Sequence, residues 1–140
     1  MKRPYVAAWV EDADGFPVKT LLLWVQKDGP GPRWIPDLKR WHRADRLRKL
    51  AEDSDLVQTI SEATRQPGSH AVTWDGTDNG GLPLPPGDYV LCLEAAREHG
   101  TYQFERRPLV IGSEPRHESF EGGTEIKAAS FDYRPAGARP

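Results

Sequence analysis

Apolar and polar positions alternate with a period of two along much of the chain, the spacing of side chains on the two faces of a β-strand. His70, Val72 and Trp74 alternate with Ala71, Thr73 and Asp75, and Tyr89, Leu91 and Leu93 alternate with Val90, Cys92 and Glu94. Between these runs lie four glycines, three prolines, two aspartates and an asparagine. Glycine supplies positive φ, proline fixes φ, and Asp or Asn bonds its own backbone. Residues 70 to 93 are therefore expected to fold back as a hairpin, with further strands packed around it.

Tyr5 to Val10 and Val18 to Val25 read as the first two strands, joined through the hairpin signal Asp14-Gly15. Val18, Thr20, Leu22 and Trp24 on one face and Lys19, Leu21, Leu23 and Val25 on the other are largely apolar, which predicts a central strand. Gly29-Pro30-Gly31-Pro32 breaks a long connection from Gln26 to Trp34. Ile35-Pro36-Asp37 then resembles a helix start, and a helix is expected over about 37 to 52. Its apolar stripe would be Leu38, Trp41, Leu47 and Leu50, opposite Lys39, Arg40, Arg43, Arg46 and Lys49.

Asp55 to Arg65 fits either a continued helix or a short strand, and Gln66-Pro67-Gly68 resets the chain. Tyr102 to Ile111 reads as another strand, Gly112 to Thr124 as a polar loop and Glu125 to Tyr133 as the last strand. The resulting expectation is an all-β fold: an immunoglobulin-like two-sheet sandwich of about seven strands with one inserted helix. It would form one domain over 1–134, with 135–140 a frayed tail.

Composition supports this picture. At 140 residues the chain suits one domain, and thirteen Gly with thirteen Pro favour many turns over a helical bundle. Five tryptophans offset a modest aliphatic content. The net charge of -2 removes the simplest case for nucleic acid, a strong basic excess. A single cysteine, Cys92, allows no internal disulfide and reads as a small buried residue rather than a reactive thiol. No run of about 18 apolar residues spans a membrane. Met1-Lys2-Arg3-Pro4 leads straight into Tyr5 to Val10, a strand rather than the apolar region of a signal peptide. On that ground the natural chain is cytoplasmic, or a mature fragment with an added Met.

Candidate chemistry is sparse. Six Lys or Arg with His42 between Lys39 and Lys49 form either an anion patch or the solvated face of one helix, the second being the simpler reading because Asp37, Asp45, Glu52, Asp53 and Asp55 sit close by. Asp75, Asp78 and Asn79 offer hard oxygen ligands of the kind Ca²⁺ takes, but a tight turn needs the same residues, so no metal site is assigned. His42, His70, His99 and His117 make no zinc-hydrolase spacing. Arg97, Glu98 and His99 cluster just past a strand end, where ligand-binding residues often sit; Arg97 suits a carboxylate or phosphate, or else an internal salt bridge. No nucleophile elbow or phosphate-cradling glycine loop is present, so an enzyme is not expected.

Two resemblances add to this reading. Trp74, Asp75, Gly76, Asp78, Gly80, Pro85, Gly87 and Tyr89 resemble the immunoglobulin-like repeat of the bacterial flagellar hook-capping protein. More of the chain resembles a family of predicted periplasmic proteins of unknown function: Tyr5 to Asp12, Thr20-Leu21 with Trp24, Leu38 to Arg43, Ala63-Thr64-Arg65 with Pro67-Gly68, the Trp74-Asp75-Gly76 turn region, and Glu94 to Gly100. Such domains occur beside PepSY-type membrane proteins thought to move electrons to flavin or iron. The resemblance implies a periplasmic, non-enzymatic accessory domain of a membrane redox system.

Gln58-Thr59-Ile60-Ser61-Glu62-Ala63-Thr64 is also similar to the pattern Asp-x-x-Ser/Thr-Gly-Ala-Thr, at which flavin transferases attach FMN to a threonine hydroxyl. Ser61, Ala63 and Thr64 match, whereas Gln58 replaces the acid and Glu62 the glycine, which stiffens the segment and sets a negative charge near an incoming phosphate. The resemblance thus implies Thr64, with Ser61, as a covalent FMN site; against it stands Thr64 as an ordinary turn or strand residue. The alternative function is a protein- or carbohydrate-recognition module using an exposed sheet edge or the Arg97–His99 loop.

Overall fold

The computed structural model describes residues 5–24, 38–52, 74–96, 102–112, 115–121 and 128–133. Strands β1 (Tyr5–Glu11) and β2 (Pro17–Trp24) form the first hairpin, and helix α1 (Lys39–Ala51) follows. Strands β3 (Gly87–Ala96) and β4 (Tyr102–Ile111) come next, then β5 (Arg116–Glu121) and β6 (Ala128–Tyr133). The antiparallel order is β2-β1-β3-β4 in one sheet, with β5-β6 a separate two-stranded sheet. The fold is all-β and sandwich-like, with one inserted helix. Among the described residues the strands number six rather than about seven.

The β1–β2 turn forms as its Asp-Gly pair predicts. Asp12 Oδ1 accepts the N–H groups of Asp14 and Phe16 at 2.9 Å each, and Gly15 supplies the φ of 84° that closes the turn. The first six residues of β1 are all buried because the strand lies between β2 and β3 with both faces covered.

On one face Tyr5, Ala7, Trp9, Leu23, Cys92 and Ala96 pack with Leu38 and Trp41 of α1. On the other, Val10, Tyr89, Leu109 and Ile111 pack with Val18, Leu21, Trp74, Leu84 and Leu91.

The central position predicted for the second strand is not observed: β2 flanks the sheet, and β1 and β3 are central. Apolar residues on both its faces report that both faces are covered, not that strands lie on both sides. Register shifts opposite Ala8/Trp9 and Val10/Glu11 also break its simple alternation, sending Thr20 and Leu23 toward the helix and Leu21 to the opposite cluster.

The expected 70–93 hairpin is also redrawn. Residues 70–73 lie outside the described set, and Trp74 is not in a strand. Residues 74–86 form a turn with one bridge, Thr77 to Pro83, and β3 pairs instead with β1 and β4. The turn residues do what their chemistry suggests. Asp75 Oδ1 accepts from Thr77 N and Oγ1, and Asp78 Oδ1 accepts from Gly80 N and Leu82 N. The Tyr89 hydroxyl reaches back to Pro85 O at 2.6 Å, the arrangement of a tyrosine corner in immunoglobulin-like sandwiches.

The turn also covers part of the outer edge of β2. Asn79 Oδ1 accepts from Thr20 N at 3.1 Å, and Asn79 N donates to Val18 O at 3.0 Å. An exposed strand edge invites pairing with other chains, and Asn79 occupies that position as a missing strand would.

The predicted polar loop over Gly112 to Thr124 contains β5, and the last strand begins at Ala128. The β5 sequence Arg-His-Glu-Ser-Phe-Glu carries one apolar residue, so periodicity gives no signal; backbone pairing with β6 makes the strand.

Candidate functional site

Helix α1 begins without a cap of its own. Leu38 stands at the N-cap and supplies no side-chain hydrogen bond, and the first turn holds no acid. The first amides of a helix need acceptors, and its positive end favours an anion. Glu94 provides both from near the C-terminal end of β3. Its carboxylate is fully buried and accepts Arg40 N and Trp41 N at 2.8 Å each. The Tyr102 hydroxyl donates to the same carboxylate. Burial first, then Glu94's hydrogen bond and charge, push the Tyr102 hydroxyl pKa upward, so it stays a donor at any physiological pH.

Neighbouring contacts seat the helix. Trp41 Nε1 donates to Thr20 Oγ1 at 3.2 Å. The Lys39 ammonium lies 5.2 Å from the Tyr102 ring centre, and the Arg40 guanidinium 4.8 Å from that of Phe104. The Phe104 ring in turn stacks on Trp9.

The buried helix stripe differs from the predicted one. Leu38 and Trp41 are buried as expected, but Leu47 is 47% exposed and Leu50 86%. Asp45 and Arg48 take the inward positions. Arg48 Nε bonds Asp45 Oδ1 at 2.8 Å, and Arg48 Nη1 lies 3.4 Å from Glu52 Oε1. A buried charge is tolerated only when paired, and this ladder supplies the partners. The ladder also turns the segment's two acids away from the outer face. Lys39, Arg40, Arg43, Arg46 and Lys49 are exposed as predicted, Lys49 lying 3.8 Å from Asp45 Oδ2.

Cys92 is fully buried in the cluster beneath the helix, as the sequence suggests. Burial, reinforced by the charge of Glu11, pushes its thiol up to about 12. It therefore lacks the thiolate that nucleophilic or redox chemistry needs. Among the described residues no three His, Cys, Asp or Glu converge on a common point for a metal.

The remaining predicted site residues lie outside the described set. Ser61 and Thr64 fall in the segment between Glu52 and Trp74, and Arg97, Glu98 and His99 fall between the end of β3 and the start of β4. His70 and His99 are likewise outside; His42 is half-buried on α1, and His117 is exposed on β5. Sequence reasoning missed Glu94, because a cap supplied from more than fifty residues away leaves no local spacing. Its one signal was an acid within the otherwise apolar run Tyr89 to Ala96.

Comparison with curated proteins and with solved structures found no match. The family described as "Predicted periplasmic protein (DUF2271)" matches residues 1–128. No helix among the described residues is long and apolar enough to cross a membrane. The match takes in both buried clusters, the Glu94-capped helix and the Ser61–Thr64 segment, and the chain belongs to this family of predicted periplasmic proteins.

Proposed function

We propose that the protein is a non-enzymatic periplasmic accessory domain of a membrane flavin or iron redox system, and that it carries FMN on Thr64. The observation that carries this reading is the match of Ser61, Ala63 and Thr64 to the flavin-transferase acceptor pattern, within the stretch that the family covers. The described residues support a carrier over a catalyst. Their buried carboxylates are committed to capping and ion-pairing, and their one thiol is held protonated. A PepSY-type membrane protein is the electron partner in this reading, and a flavin transferase the loading enzyme.

In loading, the Thr64 hydroxyl oxygen bonds the phosphorus of the FMN half of a flavin dinucleotide. The pyrophosphate bond breaks, a nucleoside monophosphate leaves, and the hydroxyl proton passes to solvent. Co-expression with a flavin transferase is expected to give yellow protein heavier by one FMN less one water. Thr64→Ala would stay colourless. Unchanged mass for the parent chain would instead favour a recognition module built on the Arg97–His99 loop, which joins two adjacent long strands.

A further inference from the structure

Beyond Lys39, whose ammonium lies over the Tyr102 ring, the outer ridge of α1 joins neither buried cluster among the described residues. Lys39, Arg43, Arg46, Leu47 and Leu50 follow one another along its outer ridge at intervals of three, four or one, opposite the buried Trp41, Asp45 and Arg48. Arg43 and Arg46 form no ion pair among the described residues. Leu50, at 86% exposure, gains nothing from the fold. From Lys39 to Leu50 the convex ridge runs about 16 Å at 1.5 Å per residue.

Within the helix segment itself, charge is also segregated, its two acids pairing with Arg48. Residues 39–52 hold six Lys or Arg against two Asp or Glu, so the net -2 of the chain leaves the remainder at -6. A ridge of this charge is attracted to an anionic surface.

From these observations we infer that α1 docks on an anionic phospholipid bilayer, lying in the plane of the interface. Arg43 and Arg46 meet lipid phosphates while Leu47 and Leu50 enter the boundary with the acyl chains. The leucines favour a bilayer over an acidic protein groove. A convex ridge that mixes two exposed leucines with cations needs a deformable surface, one that accepts apolar and charged groups side by side. The Glu94 cap and the Asp45–Arg48 pair hold the ridge in that orientation without lipid. This inference does not depend on flavin at Thr64.

The test is sedimentation of the full chain with vesicles of phosphatidylcholine alone or mixed with phosphatidylglycerol, at low and high salt. Binding is expected only with phosphatidylglycerol and is expected to weaken as salt rises. Each cation contributes about fivefold at such a surface, so Arg43→Gln with Arg46→Gln should weaken partition about 25-fold. Leu50→Ser should weaken it severalfold with the salt dependence unchanged. All three side chains are exposed, and an unchanged melting temperature confirms that the variants fold. Equal binding to both vesicle types, or unaltered binding by the double variant, would overturn the inference. So would retention on immobilised polyglutamate without vesicle binding, which would assign the ridge to an acidic protein.

Discussion

Replacing Glu94 by alanine should be among the most damaging single changes in the described part of the chain. The substitution removes the acceptor for Arg40 N, Trp41 N and the Tyr102 hydroxyl, and Glu94 is fully buried. A hydrogen bond to a charged acceptor contributes about 1.5–3 kcal/mol, and a buried donor left unpaired costs about 1–3 kcal/mol. The anion at the helix's positive end adds up to about 2 kcal/mol. These contributions overlap, and water can reach Arg40 N once the cap is gone, so a total of about 3–5 kcal/mol is expected. At about 3–5 °C per kcal/mol for a chain of this size, the melting temperature should fall by about 10–20 °C.

Glu94→Gln keeps one carbonyl acceptor and loses the charge, so it should cost about 1–2 kcal/mol. Urea unfolding gives the stabilities, and amide exchange at Arg40 and Trp41 reports the cap itself. Glu94→Leu offers no acceptor and should behave like the alanine variant. Wild-type stability of Glu94→Leu, with Trp41 N still protected, would refute the capping argument.

Other expectations follow from the same geometry. Arg48→Ala leaves the buried Asp45 with only the longer Lys49 contact and should cost about 3 kcal/mol, whereas Leu50→Lys should change stability by less than about 0.5 kcal/mol. Equal losses in urea unfolding would mean that the helix is rotated from the orientation seen. Cys92, with its pKa raised to about 12, should resist thiol reagents at pH 8 in the native protein and react at once in urea. Because the folded state keeps this proton longer, its contribution is full below the unfolded value of about 8.5 and is lost as pH rises toward 12, at most about 1.4 kcal/mol per pH unit. Cys92→Ala should flatten that part of the stability–pH curve. Gly15→Ala places a side chain at φ 84° with open space around it, so only backbone strain of about 1–2 kcal/mol is expected in thermal unfolding.

The parts of the fold legible in the sequence are those governed by local spacing. Alternation located β1, β2, β3 and β4, and Asp14-Gly15 located the first turn. The helix was found to within two residues at its start and one at its end. What escaped depends on contacts between distant residues. Leu47 and Leu50 carry the hydrophobicity of an inward stripe, but the sheet already offers Thr20 and Glu94 to the helix, and the paired Asp45 and Arg48 take the remaining inward positions. The flanking place of β2 could not be read from side chains covered on both faces, and β5 has no apolar face to read. For the functional residues, Thr64, the Arg97–His99 cluster and the basic helix face came from motif and position, whereas the helix cap and the exposure of Leu47 and Leu50 on that face became visible only once β3 and α1 were placed together.

The central functional claim concerns one hydroxyl, and peptide mapping after co-expression with a flavin transferase tests it most directly. Trypsin should release Leu50–Arg65. Our account predicts that this peptide carries one FMN in phosphodiester linkage and that fragmentation assigns it to Thr64. A flavin-free peptide, or flavin on Thr59 or Ser61 instead, would contradict it.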